Sequence, residues 1–134
     1  MAAWLAAGKH DSFVSHESAL ELLDLSDLIP SSVHLTVGRA RRGIKSAPII
    51  TLHTSTRFPR EEELWTTEGL AHSSPERAIA ESAEWGTPPE QLELAVLQAI
   101  RRGLTTPERL RQEAAGRDES YRRVLRRALD RRPE

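Results

Sequence analysis

Three times in the second half of this 134-residue chain, hydroxyl residues lead into proline and glutamate: Ser74-Pro75-Glu76, Thr87-Pro88-Pro89-Glu90 and Thr105-Thr106-Pro107-Glu108. These are helix-start signals. A hydroxyl oxygen can accept a bond from one of the orphaned N–H groups of a first turn. Proline costs nothing at the first helical position, and a glutamate three residues after the cap can return the bond. Gly86, Gly103 and Gly116 stand where such helices would stop. The pattern predicts a helix from Pro75 to about Trp85, capped by Ser74. A second helix has Thr87 as cap and Glu90 closing the box. The same box at Thr105–Glu108 opens a third, and a last helix runs from about Asp118 to Arg131. In the second, Leu92, Leu94, Ala95, Val96, Leu97, Ala99 and Ile100 point nearly all round, the mark of a buried central helix.

The first half reads differently. Residues 2–8 suit a short helix ending at Gly8, and Ser12-Phe13-Val14 a brief strand. Ser15 can cap a helix whose Ala19, Leu20, Leu22 and Leu23 face a core. Val33, Leu35 and Val37 alternate with His34, Thr36 and Gly38, as in a strand with one buried face. Arg39 to Gly43 then reads as an exposed basic hairpin loop leading to a second strand over Pro48–His53. Residues 54–68 look irregular apart from a short strand near Trp65. The expected fold class is α+β, or α/β. A small, mainly antiparallel sheet from about 33–38, 48–53 and 65–72 is flanked by helices. Residues 1–86 form a mixed core and 87–134 a helical C-terminal module, together one continuous domain.

A chain of this length buries roughly two-thirds of its unfolded surface, and with three Trp, two Phe and one Tyr its core must be aliphatic. Cysteine is absent, which removes disulfides and thiolate ligands and fits a cytoplasmic protein. No apolar run approaches the roughly 18 residues of a membrane span, so no membrane partner is expected. The segment Met1–Ala7 lacks the basic lead of a signal peptide. Net charge is −1, but unevenly spread: residues 61–99 hold nine acids against one base, Arg77, while residues 100–134 hold eleven Arg against six acids. An acidic middle and a basic tail predict two working surfaces, or an attraction within one chain or between two copies.

The last helix is the sharpest candidate for an interface. Tyr121, Val124, Leu125, Ala128 and Leu129 form an apolar stripe, and Arg122, Arg123, Arg126 and Arg127 lie opposite. Such a face gains from a phosphate or an acidic protein surface. The plain alternative is a salt-bridged face, because Asp118 and Glu119 stand four residues before Arg122 and Arg123, and Asp130 four after Arg126. Arg39, Arg41, Arg42 and Lys45 make a second basic cluster. Of five histidines, His34 and His53 could meet across adjacent strands, yet none shows the pairing of a zinc protease, and no metal or cofactor is expected. There is no Gly-rich phosphate loop, no Gly-x-Ser-x-Gly elbow and no cysteine nucleophile. Ser15 and His16 are adjacent in sequence, which is not the spatial logic of a hydrolase triad.

Two segments resemble a known family. The first comprises Ser15-His16-Glu17-Ser18-Ala19-Leu20, then Leu25-Ser26-Asp27-Leu28-Ile29-Pro30 and Val33-His34-Leu35-Thr36-Val37. The second is Gly69-Leu70-Ala71-His72-Ser73-Ser74-Pro75-Glu76-Arg77, which is similar to a G-L-x-x-[ST]-[ST]-P-x-R pattern. Together they resemble the AbiEi antitoxins and transcriptional regulators of type IV toxin–antitoxin systems, over residues 2–129. The resemblance implies a non-enzymatic antitoxin domain that counters a nucleotidyltransferase-like toxin, with His16 orienting a helix start. Family members usually begin with a winged-helix DNA-binding head, and this chain starts where that head would end, so only weak DNA binding is expected of it. The alternative is a nucleic-acid-binding regulator that uses the Arg-rich last helix directly.

Overall fold

A computed structural model describes residues 12–25, 33–38, 50–55, 61–67 and 69–131. It has the α+β architecture expected from the sequence. The strands are β1 (Ser12–Val14), β2 (Val33–Gly38), β3 (Ile50–Ser55), β4 (Leu64–Thr67) and β5 (Leu70–Ser73), in the order β3-β2-β1-β5-β4. The sheet is mixed. β1 pairs antiparallel with β2, and β4 with β5, whereas β1–β5 and β2–β3 are parallel. Val33 opposes Ile50 and Gly38 opposes Ser55, so β2 and β3 run side by side in one direction. Parallel neighbours cannot be joined by a hairpin turn. The expectation that Arg39–Gly43 is a hairpin loop between these two strands is therefore corrected by their parallel pairing; residues 39–49 themselves lie outside the described residues. Alternating polarity fixes which face a strand buries but carries no information about its direction. The helix expected over residues 2–8 also lies outside the described residues. β4 and β5 pair antiparallel as a hairpin, and Gly69, just before β5, takes a positive φ of 80°.

Among the described residues the helices are α1 (His16–Leu22), α2 (Pro75–Trp85), α3 (Pro89–Arg101), α4 (Pro107–Glu113) and α5 (Glu119–Asp130), with a 3-10 turn at Glu61–Glu63 before β4. Ser74 caps α2 as expected, accepting from the Arg77 N–H at 3.3 Å, and Gly86 ends that helix in the left-handed region. Two caps fall one residue later than the boxes implied. Pro88 is the N-cap of α3, and Thr87 instead donates its hydroxyl to Glu17 of α1. Thr106 caps α4, accepting from the Arg109 N–H at 3.2 Å, while Thr105 donates to Glu76 of α2. In both places the spare hydroxyl ties one helix to another.

One apolar cluster joins α1, α2, α3, α4 and α5, through Leu20, Ile79, Leu92, Val96, Leu110 and Tyr121 among others. The helix at its centre is α2, not α3. Every residue of α2 from Pro75 to Ala83 is buried, including Glu76, Arg77 and Glu81, whereas Leu94 of α3 is 52% exposed. Small residues explain the reversal: Ala78, Ala80, Ser82 and Ala83 let neighbours approach α2 from all sides, and its charges are paired internally. α5 lays Tyr121, Val124, Leu125 and Ala128 into this core, and the Tyr121 hydroxyl donates to the Leu110 carbonyl at 2.6 Å.

Candidate functional site: a histidine stack and an arginine face

Ser15 leaves the sheet by donating its N–H to the His34 carbonyl at 3.0 Å, and the next residue turns sharply. His16 has φ of 56°, a left-handed conformation that costs a non-glycine residue about 1–2 kcal/mol. Its N–H reaches Glu81 Oε1 at 3.3 Å, and its ring is aimed back over the sheet. There it lies face to face with His53, the centroids 3.7 Å apart and the planes 13° from parallel. His34 and His53 do meet across β2 and β3, with Nδ1 and Nε2 2.9 Å apart, so one nitrogen carries the proton and the other the lone pair. Trp85, the last residue of α2, stands edge-on to all three rings and is itself 51% exposed.

This packing fixes the charge state. Burial, together with the neighbouring His34, Arg77 and Arg117, lowers the pKa of His16 to about 3. Burial and the two other rings lower His53 to about 4, against a weaker pull from Glu81. Burial lowers His34 as well, with Glu17 opposing. The stack is neutral at physiological pH. Near-parallel rings direct their lone pairs into near-parallel planes, and among the described residues no three His, Cys, Asp or Glu are placed to hold a metal ion. Ser15 is no nucleophile: it is fully buried, and its Oγ accepts from Thr36 Oγ1 at 2.8 Å while facing His16 Nδ1 at 2.8 Å.

A second buried network adjoins the stack. Arg77 is 3% exposed. Its Nε donates to Glu81 Oε2 at 2.9 Å, Nη1 lies 3.5 Å from Glu63, and the guanidinium carbon sits 5.1 Å from the Phe13 ring centroid. Ser73 donates to Glu81 Oε1 at 2.6 Å. His72 donates from Nδ1 to the Ser73 carbonyl at 2.8 Å and faces Thr67 Oγ1 at 2.7 Å through Nε2, so both its nitrogens are occupied. The two segments that carry the family resemblance therefore meet in one polar seam: the His16 N–H and the Ser73 hydroxyl share Glu81. Farther along, Arg117 bridges Glu113 and Glu84 at 2.7 and 3.1 Å, and burial pushes the Glu113 carboxyl up despite that contact. A cleft of about 290 Å³ opens between β4 and α4, lined by Glu62, Glu63, Trp65, Glu76, Arg109 and Glu113 among others.

Of the basic candidates, Arg39, Arg41 and Arg42, with Lys45, lie outside the described residues. Arg122, Arg123, Arg126 and Arg127 stand exposed along α5. Most are engaged within the chain. Arg126 pairs with Glu119 at 2.6 Å, and Arg122 donates to the Ala114 carbonyl at 3.3 Å. Buried Glu93 of α3 is clasped by Arg131 at 2.8 Å and Arg127 at 3.5 Å, so the acidic middle and the basic tail do attract each other within one chain. Arg123 and Arg127 border a cleft of about 140 Å³ between α3 and α5 whose floor includes Thr87, Leu92 and Val124.

No family model and no curated protein matches the chain. Among solved structures it is similar to the crystal structure of the Rv2827c protein from Mycobacterium tuberculosis, with a TM-score of 0.64 and 19% identity over 96% of this chain and 51% of that one. The chain thus spans about half the length of that protein, and at this identity the likeness is one of fold.

Proposed function

We propose that this chain is the antitoxin, or effector, domain of an AbiEi-type regulator, a cytoplasmic, non-enzymatic domain that counters a nucleotidyltransferase-like toxin. The observation that supports this reading best is what the two family-like segments do in the fold. Their hydroxyls, carboxylates and imidazoles bond to one another. Ser15, Ser73 and His72 are wholly buried, so these three polar side chains serve the packing of the domain and are withdrawn from solvent. What faces outward is the α5 arginine row, and it is the surface assigned here to the partner. Co-purification of the chain with the protein encoded by the neighbouring reading frame tests the reading; recovery of a defined complex with a nucleotidyltransferase-like protein supports it.

The succession of α3, α4 and α5 with short turns, ending in an Arg-bearing helix, favours one second reading, a nucleic-acid binder. Binding through these arginines alone would rest on phosphate contacts and fall steeply with salt. Sequence-selective duplex binding near 10⁻⁸ M at about 150 mM salt would favour this reading over the first.

A further inference from the structure

We propose that the stack of His16, His34 and His53 beneath Trp85 is a proton-operated latch: mild acid drives the rings apart and frees the start of α1 and the end of α2 from the sheet, while α3 and α5 stay folded.

The latch is built from three separate elements and closed by a fourth. His16 comes from the strained first residue of α1, His34 from β2, His53 from β3 and Trp85 from the C-terminal end of α2. The contacts among the rings cannot survive protonation of all three. The N–H···N bond between His34 and His53 needs a lone pair on one ring, and a stack at 3.7 Å between His16 and His53 would put two charges in contact if both rings were protonated. The charged groups around the stack do not relieve this. Glu17 on α1 and Glu81 on α2 favour protonation of His34 and His53, but Arg77 on α2 and Arg117 before α5 oppose it at His16. Glu81 is already bonded to Arg77, Ser73 and the His16 N–H, and Glu17 to Thr87. Protons therefore enter by way of the open form, where each ring regains an ordinary pKa near 6.5. Strain at His16 favours opening, because release of the ring lets its backbone leave the left-handed region. Below pH 6.5 each freed ring favours the open form by up to about tenfold per pH unit, so His16 and His53 together approach a hundredfold and His34 acts in the same direction.

The test is hydrogen exchange of the whole chain at pH 7.5, 6.5, 5.5 and 5.0, resolved by segment and corrected for the intrinsic exchange rate. The latch predicts that opening of residues 15–23 rises by clearly more than tenfold per pH unit below 6.5 and at every pH exceeds that of residues 89–101 and 119–130, which open only with the whole chain. His53→Gln should reduce that slope by about tenfold per unit. If the variant does not fold, the slope of the native chain decides by itself. A rise of tenfold or less per unit, no rise, or equal protection of all three segments at each pH overturns the proposal; the last would be ordinary acid denaturation.

Discussion

Replacing Arg77 with methionine keeps the aliphatic stem in the core and removes only the guanidinium. Two buried carboxylates then lose the Arg77 guanidinium: Glu81, 5% exposed and bonded to Arg77 at 2.9 Å, and Glu63, 1% exposed and 3.5 Å away. Removing one partner of a buried pair costs about 3–5 kcal/mol, because the remaining charge is left without compensation. Glu81 keeps the Ser73 hydroxyl and the His16 N–H, which places the expected loss at the lower end, about 3 kcal/mol. A domain of this kind is stable by roughly 5–15 kcal/mol in total, so the loss is large but survivable. Urea unfolding followed by circular dichroism at pH 7.5 measures it, with an unchanged m-value showing that the unfolded state is the same. Adding Glu81→Gln to Arg77→Met should recover part of the loss, giving a coupling above about 1 kcal/mol. If Arg77→Met stays within about 1 kcal/mol of the native chain, the seam does not hold the fold together and the argument from it fails.

Leu125→Ala should cost about 2–5 kcal/mol, because that side chain is buried against α3 and α2; a loss under 1 kcal/mol in the same urea assay would mean α5 is not docked as described. Tyr121→Phe should cost about 1–3 kcal/mol by leaving the Leu110 carbonyl unpaired, measurable as a lowered melting temperature. His16 and His53 have folded pKa values of about 3 and 4, below the unfolded value near 6.5. Their contribution is therefore complete above pH 6.5 and is lost as pH falls from there toward the folded values. At pH 5 the loss is about 2 kcal/mol per ring; the raised carboxyl of Glu113 acts in the opposite direction. Urea midpoints at pH 7.5 and 5 that agree within error would count against this.

Much of the fold was legible in the sequence because it rests on local chemistry. Ser74-Pro75 and Gly86 bracket α2, and the spacing of Tyr121, Val124, Leu125 and Ala128 gives the buried face of α5. What was not legible depends on direction and distance. Nothing in Val33–Val37 says that its neighbour runs parallel. The central helix was misplaced because Glu76, Arg77 and Glu81 look like solvent-facing residues until Glu63, Ser73, Thr105 and His16 are brought to them from elsewhere in the chain. The meeting of His34 and His53 could be anticipated from two adjacent strands; the arrival of His16 and Trp85 could not, since it depends on a left-handed residue and on the exact end of α2. On α5 the pairing followed three dimensions rather than i,i+4 spacing: Arg126 turned to Glu119, and Glu93 drew Arg127 and Arg131.

The central claim is that this domain counters a toxin through its outer surface and not through chemistry of its own. The most direct measurement is growth of cells expressing the proposed partner, a nucleotidyltransferase-like toxin from the same genome, together with this chain, with soluble levels of each measured in parallel. The account predicts that the native chain restores growth, and that Arg123→Glu combined with Arg126→Glu abolishes the rescue while the variant remains folded and abundant. Failure of the abundant native chain to restore growth would contradict the antitoxin reading. Full rescue by the double variant would remove the arginine face from it.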